Sequence, residues 1–217
     1  MKIVAVNGGP RKKCNTAQML DSFLSGVKEA APDAEIQTIH LYDYLYIGCK
    51  SCFACQMTAN REDLGCRLKD SIADLLKDTF HADGIVFASP IYYLNVTAQL
   101  RAFWERLLYP GHSPKKIPTA VLYTMNMNEQ QAEQYAAPVF QIIETYLNDC
   151  FGVKPETVRS YNTFQYNDRP NLDAHFRRRV AEKKRHHDER FPTDLQNAFE
   201  AGKRLTGLVL ESRGERV

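Results

Sequence analysis

Lys2-Ile-Val-Ala-Val6 runs straight into Asn7-Gly-Gly-Pro-Arg-Lys-Lys-Cys-Asn-Thr16, and this junction decides the fold. An apolar stretch suited to a buried strand gives way to a Gly/Pro/Arg loop, which ends at a helix-start signal before an apolar helical pattern. Strand, loop and helix in that order aim backbone N–H groups and the positive end of a helix at one point in space. An anion belongs at such a point, and a phosphate suits it best. Gly8 and Gly9 let the backbone turn and approach a ligand, while Pro10 stiffens the turn. Arg11 offers a planar fork to phosphate oxygens. Asn15 or Thr16 can cap the helix and still face the ligand. The loop has neither the Gly-x-Gly-x-x-Gly of a dinucleotide site nor the Gly-Lys-Ser/Thr ending of a triphosphate loop. A phosphomonoester at the end of a larger cofactor therefore fits better than a pyrophosphate.

Outward from the junction, apolar spacing predicts a helix over 16–30, with Met19, Leu20, Phe23, Leu24 and Val27 on one face. Strands follow at 35–41, 84–88, 119–124 and 153–161, alternating with helices at 68–80, 97–108 and 129–148, and a closing helix spans 195–210. Strands that are largely apolar and alternate with helices form a parallel sheet covered on both faces. The prediction is an α/β fold, a doubly wound five-stranded parallel sheet, occupying residues 1–217 as one domain. Ligands in such folds bind beyond the carboxyl ends of the strands, so the loops 7–16, 89–95 and 124–128 should converge. The net charge of +2 argues for no polyanionic partner, and no apolar run reaches a membrane span. With no secretory leader at the start, the expected setting is the cytoplasm, where six cysteines read as thiols or ligands.

The loop after the third strand is Ser89-Pro90-Ile91-Tyr92-Tyr93-Leu94-Asn95. Pro90 fixes its backbone, two tyrosines can flank an aromatic ring or simply cover the core, and free N–H groups can meet ring heteroatoms. Together with Asn7-Gly-Gly-Pro-Arg11, Asn15-Thr16, the 82–93 segment and Ala98-Gln-Leu-Arg-Ala-Phe-Trp-Glu-Arg106, this pattern resembles the flavodoxin-like NAD(P)H-dependent FMN reductases, near their iron–sulfur flavoprotein branch. The resemblance spans about residues 1–160. It implies a flavodoxin-like sheet, with the FMN phosphate at Gly9–Thr16, next to Gly8, and the ring against Ser89, Pro90, Ile91, Tyr92, Tyr93 and Asn95. Thr124 and Asn126 would form a third wall. NAD(P)H would be co-substrate, a small molecule the electron acceptor, and the assembly a homodimer or homotetramer, with Trp104 a candidate interface residue. The flavin carries the chemistry, so no catalytic side chain is assigned. The sequence departs from the family pattern in three places. Gly9 replaces a usual Ser, Cys14 a frequent Gly, and Met125-Asn126-Met127 a loop that commonly holds glycine.

The loop 48–66 carries Cys49-x-x-Cys52-x-x-Cys55 and then Cys66. Two-residue gaps let a chain wrap thiolates around one ion or cluster. Three readings stand: an iron–sulfur cluster relaying single electrons between FMN and ferredoxin-like partners, a zinc site, or a cysteine loop without metal. The resembled flavoproteins have a short last gap, whereas ten residues separate Cys55 from Cys66. Residues 169–190 form a basic excursion with eight Arg/Lys, three His and four acids. Interspersed acids and the absence of an aromatic platform favour a solvated helix over a nucleic-acid surface.

Overall fold

A computed structural model describes residues 1–57, 65–108, 113, 115–165 and 174–214. Five parallel strands, β1 (Lys2–Asn7), β2 (Glu35–His40), β3 (Gly84–Pro90), β4 (Thr119–Thr124) and β5 (Glu156–Ser160), lie in the order β2-β1-β3-β4-β5. The chain thus moves outward one way from β1 and then the other way from β3, so the topological switch lies between them. β1, β3 and β4 are buried almost throughout, as strands covered on both faces must be. Edge strand β2 is largely half-exposed.

One face carries α1 (Asn15–Ala30) and α6 (Ala174–Gly214), with Met19, Leu20, Phe23 and Val27 packed against Ala198, Ala201, Leu205 and Val209. The backbones cross so closely that a Cβ on Gly26 would lie 2.0 Å from the Phe199 carbonyl oxygen, and one on Gly202 2.0 Å from that of Phe23. The other face carries α2 (Ala73–Phe80), α3 (Ala98–Leu108), α4 (Glu129–Tyr135) and α5 (Ala137–Phe151) around Phe87, Phe103, Tyr123 and Phe140. Trp104 belongs to this core, edge-on to Phe87 with ring centroids 5.3 Å apart.

The fold class agrees with the sequence reading, and the helices differ from it in three places. The helix read over 68–80 starts only at Ala73. Asp70 turns the chain first, accepting from the N–H of Ile72 through its side chain and from that of Ala73 through its carbonyl. The helix read over 129–148 is two helices, because Pro138 cannot donate in a continuous helix and sits in the first turn of α5. Conversely, the basic excursion and the closing helix are one element, α6, continuous through Pro192. The part of the excursion at 169–173, Arg169 included, and the side chains of His175 and Arg179 lie outside the described residues, as does 58–64 of the cysteine loop.

Candidate functional site

A crevice opens where the carboxyl ends of β1, β3 and β4 meet the start of α1, lined by Gly9, Pro10, Arg11, Asn15, Thr16, Pro90, Ile91, Tyr92, Thr124 and Asn126. The three predicted loops therefore converge. The first turn of α1 points its N–H groups here, groups that no helix can satisfy internally. Hydrogen bonds fix the walls. Thr16 Oγ1 meets Thr124 Oγ1 at 2.7 Å, which ties α1 to the end of β4. Ile91 N–H donates to the Thr124 carbonyl at 2.8 Å, which holds the β3 loop beside the β4 loop.

Several residues occupy positions the sequence reading did not foresee. The residue capping α1 is Cys14, which makes no side-chain cap hydrogen bond. Asn15 instead donates its amide to the Phe164 carbonyl at 2.8 Å, and Arg11 donates to the Gln165 carbonyl at 3.1 Å. Gly8 and Gly9 do not sit at positive φ. Gly8 is demanded by packing, because a Cβ there would lie 2.9 Å from Leu100 Cβ, and its carbonyl accepts from Thr97 Oγ1. The Gly9 N–H is taken by Asn7 Oδ1 at 2.8 Å. Ser89 is fully buried away from the crevice, donating to the Pro90 carbonyl and accepting from Thr97 N–H. Tyr92 and Asn95 close a tight turn whose central residues, Tyr93 and Leu94, have φ of 47° and 66°. Two positive values define the mirror-image turn that suits hairpins and normally needs Asn or Gly. Tyr92 lines the crevice, while Tyr93 stands wholly in solvent.

The sequence reading missed Thr163 and Gln165, which also line the crevice. They follow β5, whose carboxyl end was left out of the predicted convergence, so the rule that ligands sit at strand ends would have reached them. Thr163 is pinned by N–H and hydroxyl bonds to the Met125 carbonyl. Beyond Asn126 a larger cavity of about 700 Å³ runs between the β4 loop and α6, where Lys183 donates to the Asn126 carbonyl at 2.7 Å.

Cys49, Cys52, Cys55 and Cys66 line one small pocket beside α3. Their loop is fastened to that helix: Tyr46 Oη donates to the Gln99 carbonyl at 2.7 Å, and Cys49 N–H donates to Glu105 Oε2 at 3.2 Å. Burial, and then the neighbouring thiols of Cys66, Cys49 and Cys52, push the Cys55 thiol up. Among the described residues, no three His, Cys, Asp or Glu side chains gather closely enough to hold a single metal ion. The donor chemistry still suits an iron–sulfur cluster, which spreads its thiolates wider than one ion does. Cys150 is buried elsewhere, in the α5 core.

A doubly wound parallel sheet of this strand order, with loops converging at its switch point, defines a flavodoxin-like fold. Residues 1–148 match the family described as NADPH-dependent FMN reductase, and the chain belongs to that family. An iron–sulfur flavoprotein of Archaeoglobus fulgidus is 33% identical over 114 residues, covering 52% of this chain and 49% of its own. One from Methanosarcina thermophila is 32% identical over 106 residues, covering 49% and 52%. The chain thus spans about half the length of these curated relatives. Among solved structures, the NAD(P)H:quinone oxidoreductase from Methanothermobacter marburgensis superposes with a TM-score of 0.63 at 18% identity, covering 94% of this chain and 96% of that one. An FMN-dependent NADH-azoreductase from Bacillus anthracis, in complex with FMN, gives 0.62 at 16%, covering 95% and 100%.

Proposed function

We propose that this chain binds FMN in the crevice and passes hydride from NAD(P)H to a small acceptor. The carrying observation is the convergence of the α1 N-terminus with Arg11, Asn15 and Thr16 on one side and Pro90, Ile91 and Tyr92 on the other. The first set suits a phosphate, with Arg11 and Asn15 exchanging their carbonyl partners for phosphate oxygens. The second presents a fixed backbone and one aromatic side chain to a planar ring. Bound FMN would supply the hydride chemistry at its own ring. The protein's part is to orient the ring and keep one face open toward the cavity at Asn126 and Lys183. The hydrogen bond between Thr16 and Thr124 fixes α1 against the end of β4.

A second reading adds an electron relay through the cysteine pocket, favoured by four thiols on one cavity and by the names of the relatives. We also infer a homo-oligomer, since Ile142 and Tyr146 expose an apolar strip on α5 beside the groove at Trp104. A cytoplasmic setting goes with it. No described helix is long and apolar enough to cross a membrane. The deciding experiment is an absorption spectrum with iron and sulfide analysis of protein purified without oxygen, followed by NADH and NADPH oxidation assays. A yellow protein that consumes NAD(P)H without iron supports the reductase. Iron with acid-labile sulfide supports the relay. A colourless protein that FMN does not reconstitute rejects both.

A further inference from the structure

We propose that Arg106 is the positioning residue of the four-thiol pocket, tying down both arms of the cysteine loop and presenting its Nε–H to the sulfur ligands of an iron–sulfur cluster. The proposal rests on the relay reading and concerns only how this chain would build that site.

Arg106 lies on α3 and is 1% exposed, an unusual depth for a guanidinium. Its Nη1 donates to the Ile47 carbonyl at 3.3 Å, and its Nη2 donates to the Leu68 carbonyl at 3.1 Å and to Asp70 Oδ1 at 3.0 Å. Nη1 also pairs with the second Asp70 oxygen. Ile47 stands two residues before the first cysteine of the loop and Leu68 two residues after the last. One planar fork therefore gathers the chain just outside Cys49 and just outside Cys66, across a stretch that spacing alone leaves slack. Lysine has no such fork.

The fifth donor carries the argument further. Arg106 Nε is buried and has no hydrogen-bond acceptor, while the residue lines the pocket shared by all four cysteines. Buried N–H groups are nearly always paired, so an unpaired one on a residue that lines the four-cysteine pocket marks the place of an acceptor. Lys50, Arg67 and Glu105 complete the charged lining, and Arg106 is the buried one among them. Sulfur ligands accept hydrogen bonds, and each such bond stabilises the reduced, more negative cluster.

The test uses the full chain, reconstituted anaerobically with ferrous iron and sulfide, as wild type, Arg106→Lys, Arg106→Met and Asp70→Asn. Circular-dichroism melting shows which variants fold. Iron and sulfide per chain are counted, and midpoint potentials are read by reductive titration. Arg106→Met should lose most of the iron. Arg106→Lys should hold less than half of the wild-type iron, with a more negative potential. Asp70→Asn loosens the tether but keeps the Nε–H, so its iron should fall while its potential stays near wild type. Wild-type iron and potential in Arg106→Lys overturn the proposal. So does an equal potential shift in Asp70→Asn, which would make Arg106 a tether only. A wild-type chain that takes up no iron overturns the relay reading and this proposal together.

Discussion

Arg11 and Asn15 each hold a backbone carbonyl in the place where a phosphate would compete for them. An arginine–phosphate contact replaces an arginine–carbonyl contact, so the net gain is smaller than a charge-assisted bond formed from nothing. Arg11→Ala should weaken FMN binding about tenfold, or about 1.4 kcal/mol. Arg101→Ala, on α3 beside Glu105, should leave it unchanged. Flavin fluorescence titration compares them, and equal dissociation constants would end the assignment of the phosphate loop. The two tyrosines separate just as cleanly. Tyr92→Ala should shift the spectrum of bound flavin, while Tyr93→Ala should not, because only Tyr92 lines the crevice. At this scale the sequence marked most of the residues that line the crevice more readily than the contacts that hold them there. Gly8 read as a turn residue, and its reason is the approach of Leu100 from a helix ninety residues away in the chain. No local pattern records such an approach.

Among the elements, α1 and α6 carry the most demanding contact. Gly26 and Gly202 face each other's helices where a single methyl would overlap backbone, and backbone cannot rotate aside as a side chain does. Gly202→Ala should therefore cost more than about 3 kcal/mol or prevent folding, beyond the usual range for overpacking. Gly207→Ala, with open space around its Cβ, should instead stabilise by about 0.5–1 kcal/mol through helix propensity. Urea melts of both variants test this, and equal destabilisation would mean that the two helices cross elsewhere. Periodicity located β1, β3 and β4 because buried parallel strands are the least ambiguous apolar runs, and it reached the half-exposed β2 through its alternation. It misjudged helices where a single side chain intervenes, as at Asp70 and Pro138. It also split α6, whose solvated half carries no apolar stripe to join it to the packed half.

For the molecule as a whole, acid stability should fall in two windows. Burial raises the Asp83 carboxyl, but the Lys2 N–H, Lys115 and Arg213 outweigh it and hold the group below its ordinary 3.8. A depressed carboxyl contributes stability that is present above the ordinary value and lost as pH falls through the folded one. His187 is lowered by burial against Phe191, with ring centroids 4.4 Å apart. Its contribution is likewise present above its ordinary 6.5 and lost below it. Asp194, raised by burial beside Ser160, works in the opposite sense and gains as pH falls. Chemical denaturation across pH should show His187→Phe flattening the upper window and Asp83→Asn the lower. Unchanged profiles would place the titrating groups elsewhere. None of this was readable in the sequence, since His187 looks like one of several surface histidines until Phe191 is seen stacked on it.

The carbonyls of Phe164 and Gln165 that occupy Asn15 and Arg11 also set a clock. A cofactor phosphate that took up Arg11 and Asn15 would displace two hydrogen bonds first, so we expect loading to follow the segment's own opening rather than encounter. In stopped-flow mixing the observed rate should climb with FMN concentration and then level off. A rate that stays proportional to concentration throughout would mean the segment yields on contact. On the way out those two hydrogen bonds are already open, so release carries no such wait, and its rate should not depend on the segment.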